Sequence, residues 1–461
     1  MKVDESIFKS YDIRGVYPTQ LNEQVLPVII SSIYSFFQSK LGEKQLSIAL
    51  GRDMRLSSPS LFKIASKTLV DLGADVVDIG LVATTTFYFA VHKYRYDGGI
   101  QISASHNPKE YNGLKIVMKA EKGLIKIGKS TGMEEIKKSA LEANSEKRKA
   151  KNGKVVKKKN MVREEVKNAF KIAGEGKVKK FKIIADTANA MGATYIQELF
   201  KKIPCELVKM NFKLDGTFPA HQPDPLQLET LKDLQQRVVE EKADLGLAPD
   251  GDGDRIFFID EKGEIIPPSV ITAIVAKELL KNNKGEKILF DIRYILTPKR
   301  VTEEHGGIPV VTKVGHAFIT EAMQKEDGLF AGESSGHYYF RTTGGAESSV
   351  SVILILLNVL SREDIKFSEL VKRFTRSRES GEINFKVKNA PEIIEVLKDK
   401  FSDGMVSELD GVAVEYPEWR FSLRTSNTEP LLRLNVEEEL IAAKGRHAEL
   451  VDIIKKNAIS E

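Results

Sequence analysis

Apolar positions along the chain fall into two textures that alternate. Short apolar runs of strand length occupy residues 46–50, 76–80, 99–103 and 114–118. Before and between the first of them lie longer segments, 22–41 and 58–73, whose apolar residues recur at helical spacing. Pro59 stands at the first helical position of 58–73, where its missing N–H costs nothing. Strand and helix in alternation predict an α/β fold. Residues 1–20 read as a polar loop, and a Lys-rich stretch over 141–160 closes the first unit.

The same grammar repeats twice. A second unit starts near Met161 with a helix, then a strand at 182–186, a helix at 228–242 and a strand at 244–248 that opens onto Asp250. A third carries strands at 256–259, 288–292 and 310–312, a helix at 269–281 and a last helix at 348–360. From about residue 372 the texture changes. Strand-like runs at 383–387, 412–415 and 421–423 accompany helices at 391–401 and 438–456, which reads as a smaller α+β piece. The expected domains are therefore 1–150, 151–255, 256–370 and 371–461.

Length agrees with this division, since 461 residues suit three or four domains of ~100–200 residues each. Net charge is only +5, from 70 basic against 65 acidic residues, which argues against a dedicated nucleic-acid protein. The basic runs at 147–151 and 157–159 read as a solvated linker or helix end. Cys205 is the only cysteine, so an intrachain disulfide is excluded and a cytoplasmic setting is expected. The N-terminus carries acids where a signal peptide needs a basic and then an apolar run. The most apolar stretch, 350–360, is too short to span a membrane and reads as a buried helix.

Candidate chemistry centres on Ser103-Ala-Ser105-His-Asn-Pro108. Pro108 stops the strand and biases Asn107 away from helix, which puts Ser105 on a tight turn. A serine hydroxyl needs a base, a metal or an activated donor to react. Asp250-Gly-Asp-Gly-Asp254-Arg255 offers the metal: glycines let the chain fold three carboxylates towards one point. Hard oxygen ligands favour Mg²⁺. Glu261 falls at the twelfth position from Asp250, as in a calcium EF-hand, but Arg255 stands where that loop needs glycine. Leu423-Arg-Thr-Ser-Asn-Thr-Glu-Pro430 holds an arginine fork and short polar groups suited to a phosphate dianion. In Gly332-Glu-Ser-Ser-Gly-His337, Glu333 can accept from two vicinal hydroxyls while Ser335 and His337 add donors. Lys313-Val-Gly-His316 places His316 at a helix start, as a cap or a ligand contact. A hydroxyl nucleophile, a carboxylate cluster, an anion loop and a polyol clamp together suit phosphoryl transfer on a sugar phosphate.

With these motifs in this order, the chain resembles the α-D-phosphohexomutase family, in its phosphomannomutase/phosphoglucomutase branch. The resemblance covers essentially the whole length. It implies three similar α/β domains and a TATA-binding-protein-like C-terminal α+β domain around a central cleft. It implies that Ser105 carries a phosphoryl group, that Asp250, Asp252 and Asp254 hold Mg²⁺ with Ser105 as a further ligand, and that hexose 1,6-bisphosphate is intermediate and activator. Arg14, His106 and Lys115 would lie near the reacting oxygen, with His337 as a further catalytic group. Substrate contacts would come from Tyr11, Arg255, Lys313, His316, Glu333, Ser335, His337, Arg424, Ser426, Asn427, Thr428 and Arg433. Ser-Asn-Thr-Glu-Pro430 leans towards mannose and glucose over glucosamine, which leaves a phosphoglucosamine mutase as the alternative. After Arg341 the chain reads Thr-Thr-Gly-Gly-Ala-Glu347, where many relatives carry aspartates. A Mg²⁺-dependent phosphatase that uses an aspartate of the 250–254 cluster would need a hydroxyl residue where Asp254 stands. A serine hydrolase on Ser105 lacks the Gly-x-Ser-x-Gly elbow. A non-catalytic sugar-phosphate sensor would not need serine, triad and phosphate loop together.

Overall fold

A computed structural model describes residues 3–42, 44–142, 153–174, 176–425, 431–440 and 446–459. The chain forms two compact units, Met1–Ile266 with Ser335–Leu370, and Pro267–Ser334 with Val371–Glu461.

In the first unit the strands of one sheet run in the order Ile13–Val16, Tyr111–Lys119, Gly98–Ile102, Ser47–Arg52, Asp75–Leu81 and Val155–Lys157. Ser47–Arg52 pairs in parallel with both of its neighbours. Alternation along it shows that both faces are covered: Ile48 and Leu50 pack with Ile33, Phe37 and Leu61, while Ala49 between them packs with Phe87, Tyr88 and Val91. Tyr111–Lys119 returns antiparallel beside Gly98–Ile102, with Gln101 opposite Lys115. This register brings Lys115 back alongside the strand that delivers Ser105. A second sheet sets Glu206–Met210, Lys182–Asp186 and Leu245–Pro249 in parallel, and Ile256–Asp260 folds back antiparallel on the last of these. Residues 250–255 are thus the tight connection of a hairpin.

The second unit pairs Ile308–Thr312, Lys287–Asp291 and Phe330–Gly332 in parallel. Its C-terminal sheet is antiparallel and built around Leu431–Glu439, which pairs with Trp419–Thr425, Ser377–Glu379 and Ile383–Lys386. Helices Ala390–Lys400 and Arg446–Asn457 deliver Ile393, Leu397, Leu450 and Ile454 to one core with Val414, Phe421 and Leu434. No helix among the described residues is long and apolar enough to cross a membrane; the apolar stretch at 350–360 lies in the buried helix Ser349–Glu363.

Several expected elements are corrected. Residues 1–20 are not all loop, because Ile13–Val16 pairs with Tyr111–Lys119 over only four residues, too few to show a pattern. Val155–Lys157, inside the Lys-rich stretch, is a strand on the edge of the first sheet. All three of its side chains are exposed, so backbone bonds alone hold it and no burial pattern marks it. The strand expected to open a third unit at 256 belongs instead to the second sheet, since a two-stranded hairpin needs no crossover. The helix expected at 228–242 is a 3₁₀ turn, Leu228–Leu231, followed by Lys232–Glu240. The final helix starts at Arg446, and Glu437 to Glu439 are strand residues buried within the second unit. Arg420 donates to Glu437 at 3.0 Å, and the N–H groups of Ile295 and Leu296 donate to it at 2.7 and 3.0 Å. Acids satisfied in this way defeat a hydropathy reading. The basic run at 147–151 lies outside the described residues.

One buried carboxyl gives a pH prediction. Thr86 donates to Glu165 Oε2, and Glu165 Oε1 has no hydrogen-bond partner among the described residues. Burial pushes this carboxyl from its ordinary 4.5 up to about 7. Between those values the unfolded chain releases a proton that the folded chain keeps, so stability falls as pH rises through the window. Glu165→Gln should leave stability nearly unchanged at pH 4.5 and raise it by ~2 kcal/mol at pH 8. Urea midpoints at the two pH values check this; an equal shift at both would assign the effect to packing.

Candidate active site

The serine loop leaves the strand Gly98–Ile102 and turns back at once. Ser103 Oγ accepts from the Ser105 N–H at 3.1 Å, and Asn107 N–H donates to the Ala104 carbonyl at 3.0 Å. Ser105 sits in the left-handed region, φ 49°. Beneath the loop lies Arg55, fully buried, whose guanidinium donates to the carbonyls of Ser105, Asn107, Pro108 and Tyr111 at 2.8, 2.6, 2.7 and 3.0 Å. Planar, forked donors suit this task, because one rigid group fixes four carbonyls at once. Ser105 is 2% exposed, so its hydroxyl faces the interior of the first unit and not solvent.

There it meets the aspartate hairpin. Ser105 Oγ donates to Asp250 Oδ2 at 3.0 Å and lies 3.3 Å from His106 Nδ1. Asp250 Oδ1 accepts from the N–H groups of Gly253 and Arg255 at 2.9 and 3.2 Å, which folds the hairpin over its own first acid. Asp252 Oδ2 accepts from Thr84 Oγ1 at 2.6 Å and pairs with Lys115 Nζ at 2.9 Å. Asp254 binds Lys115 through Oδ2 and His337 Nε2 through Oδ1, the latter at 3.2 Å. Ser349 Oγ donates to the Gly253 carbonyl at 3.0 Å. Gly253 takes φ 79°, a conformation that suits glycine, which lets three acids in five residues converge.

The electrostatics are unequal across the triad. Burial, and then the charges of Asp254 and Asp252, drive the Asp250 carboxyl well above its usual range. Burial works against Asp254 too, but Lys115 and His337 outweigh it and hold that carboxyl well below the usual range. Burial opposes charge on Lys115 as well, and the two aspartates overcome it and keep the ammonium protonated to higher pH. Burial, helped by Arg255 and Arg14, pushes His106 well down, so its ring is neutral at pH 7. One ligand oxygen from each of the three aspartates lies within 4.8 Å of the others, and Asp252 Oδ1 has no hydrogen-bond partner among the described residues. A divalent cation fits this acidic group, because the Lys115 ammonium pairs with only two of the three carboxylates and one buried oxygen is unspent.

Other expected residues surround the triad in the same unit. His337 Nδ1 lies 2.9 Å from Ser335 Oγ, and Arg255 Nε lies 3.4 Å from His337 Nε2. Arg14 pairs with Asp12 at 2.7 Å and donates to the Asn107 side chain, which ties the strand Ile13–Val16 to the serine loop. Tyr11 is half-buried in the bend before that strand. Gln222 donates to the carbonyl of His106, and Asp224 stands 3.5 Å from Arg255.

The remaining expected residues belong to the second unit. Arg293, at the end of Lys287–Asp291, donates to both oxygens of Asp291 at 2.8 and 3.2 Å and to Glu333 at 3.3 Å. Asp291 Oδ2 also accepts from the Ser334 N–H at 2.5 Å, so two residues off one strand end hold the turn after Phe330–Gly332. Arg424 and Arg433 stand opposite each other on paired strands, both bonded to Glu382, at 3.3 and 3.0 Å. Burial, and then the charge of Arg293, lowers Arg424 from its ordinary value. His316 begins the helix His316–Glu326, and Lys313 Nζ lies 5.8 Å from the centre of the Phe318 ring. Ser426, Asn427 and Thr428 lie outside the described residues.

Arg55, Thr84, Gln222 and Arg293 were not singled out by sequence. Arg55 and Arg293 share a signal that could have found them: each follows an aspartate by two residues, just past an apolar strand. Thr84 and Gln222 carry no such mark.

A hydroxyl buried against a carboxylate triad, at the junction of two α/β sheets of one unit, defines an α/β enzyme with a phosphotransferase-type centre. Comparison with known proteins narrows this. Four models match in order: phosphoglucomutase/phosphomannomutase α/β/α domain I over residues 5–147, domain II over 163–263, domain III over 267–377, and the C-terminal domain over 382–450. A phosphomannomutase of Vibrio cholerae is 38% identical, across 97% of this chain and 98% of the relative. One from Methanocaldococcus jannaschii is 38% identical, across 95% and 94%. A crystal structure of a phosphoglucomutase/phosphomannomutase family protein from Burkholderia thailandensis superposes with TM-score 0.86 at 30% identity, covering 99% of both chains. The chain belongs to the phosphoglucomutase/phosphomannomutase family.

Proposed function

We propose that the protein is a hexose phosphate mutase that interconverts the 1- and 6-phosphates of mannose, glucose or both. The reading rests on one observation above others: Ser105 Oγ donates to Asp250 inside the buried triad. Phosphorylated Ser105 gives its phosphoryl group to the free end of a hexose monophosphate, the resulting bisphosphate turns end over end, and Ser105 takes back the phosphoryl group at the other end. In the first half, a sugar hydroxyl oxygen bonds phosphorus as the Oγ–phosphorus bond breaks and the hydroxyl proton passes to Ser105 Oγ, which gives a hexose 1,6-bisphosphate; the second half restores phosphoserine from the other end of the sugar. His106, neutral and 3.3 Å from Ser105 Oγ, is placed to accept the hydroxyl proton when the serine is rephosphorylated. Arg14 and Lys115 supply positive charge beside the serine loop. Asp250, Asp252 and Asp254 would hold Mg²⁺, with Ser105 as a further ligand, and the ion would offset the charge on the transferring oxygens.

For the sugar, Glu333 and Ser335 are assigned the ring hydroxyls, with His337, His316, Lys313, Tyr11 and Arg255 as further contacts. Arg424 and Arg433, with Ser426, Asn427 and Thr428, are assigned the non-reacting phosphate; a paired arginine fork is suited to a dianion. Hexose 1,6-bisphosphate is the expected activator, because any lost phosphoserine must be rebuilt from it. The expected partner is a small sugar phosphate, not nucleic acid or a membrane, and the single cysteine favours the cytoplasm.

Initial rates followed by ³¹P NMR on mannose, glucose and glucosamine 1-phosphates test this reading. Mannose or glucose should turn over about tenfold faster than glucosamine, a preference worth ~1.4 kcal/mol. Release of inorganic phosphate without an isomer would mark a phosphatase, and full turnover in excess chelator would remove the metal role.

A further inference from the structure

Carboxylates that hold a metal are aimed by what else they bond. Each acid of the triad has its own support. Asp250 is held by the N–H groups of Gly253 and Arg255, and Asp254 by His337 and Lys115. Asp252 shares Lys115, whose Nζ lies 2.9 Å from its Oδ2, and is gripped besides by a residue 168 positions earlier: Thr84 Oγ1 donates to the same oxygen at 2.6 Å. Thr84 N–H also donates to the Asp252 carbonyl, at 2.9 Å. Side chain and backbone of one residue therefore grip side chain and backbone of the other.

Thr84 is suited to this by position. It is fully buried and opens the helix Thr84–Tyr94, whose first N–H donates to the hairpin. A helix N-terminus carries partial positive charge and favours a neighbouring carboxylate. A β-branched side chain has few rotamers, so the hydroxyl is held in place before the bond forms. The bond goes to Oδ2, while Oδ1 has no hydrogen-bond partner among the described residues.

We propose that Thr84 is the positioning residue of the metal cage: it fixes Asp252 through one carboxylate oxygen and leaves the other for a divalent cation. This rests on the reading of the three aspartates as metal ligands. Thr84→Val keeps the shape of the side chain and removes the donor.

Mn²⁺ titration of the purified protein, followed by the EPR signal of free Mn²⁺, reads the effect without any turnover. Wild type should bind, Thr84→Val should bind about tenfold more weakly, and Thr84→Ser should return to within about threefold of wild type. Thr84→Ala serves if the valine methyl is not accommodated. A lower urea midpoint with an unchanged Mn²⁺ Kd in the variants would overturn the inference and leave the metal reading standing. Wild type that binds no Mn²⁺ would overturn the metal reading itself.

Discussion

Ser105→Ala should lower hexose phosphate interconversion by about four orders of magnitude, because the group that forms the covalent bond is gone and no neighbour replaces it. The loop around it should survive. Arg55 bonds the carbonyl of residue 105, not its side chain, and the carbonyls of Asn107, Pro108 and Tyr111 are untouched. The lost contacts are those of the hydroxyl with Asp250 and His106. One hydrogen bond is lost at the aspartate, and the expected stability cost is ~1 kcal/mol. Intact-mass measurement should show a phosphoryl adduct on wild type and none on the variant. A variant that keeps a tenth of wild-type turnover would remove Ser105 from the chemistry.

The sequence exposed what is local and hid what is assembled from a distance. Three acids spaced by glycines in residues 250–254 could be read directly, because the fold of that loop is written in its own residues. So could the turn that carries Ser105 past its strand, and the alternation of strands and helices along the first two-thirds of the chain. The support for each of these was not legible. Arg55 lies 50 residues from the serine whose carbonyl it holds, and Thr84 lies 168 from its aspartate. Strand pairing makes the first two neighbours, and the packing of two separate sheets the second two. Where burial did not follow hydropathy, the elements were misread. Glu437 is fully buried because Arg420 and two backbone amides satisfy it, and the strand Leu431–Glu439 went unseen. Val155 and Val156 are exposed apolar residues on an edge strand, and they failed for the opposite reason.

Gly251→Ala should cost about 100-fold in kcat, although residue 251 bears no reacting group. A Cβ there would stand 2.4 Å from the Ser105 carbonyl oxygen and 3.1 Å from its carbonyl carbon. Both belong to a backbone that Arg55 clamps, so the serine loop cannot yield cheaply. Unlike Gly253, this glycine does not occupy the left-handed region, so alanine meets no dihedral penalty and the effect is one of distance alone. The hairpin and the serine loop must part by roughly 1 Å, and a misplacement of that size near reacting atoms costs about two orders of magnitude in rate. The Ser105 Oγ to Asp250 contact at 3.0 Å would be the first to open. The same displacement would draw Asp252 away from Thr84 and Lys115, so the Mn²⁺ Kd should rise about tenfold while kcat falls further. Gly253→Ala, strained at φ 79° and facing Tyr195 at 2.9 Å, should weaken Mn²⁺ binding and turnover together, because it distorts the hairpin itself. Wild-type kcat in Gly251→Ala would mean that the close approach of serine loop and acidic hairpin is not what the reaction requires.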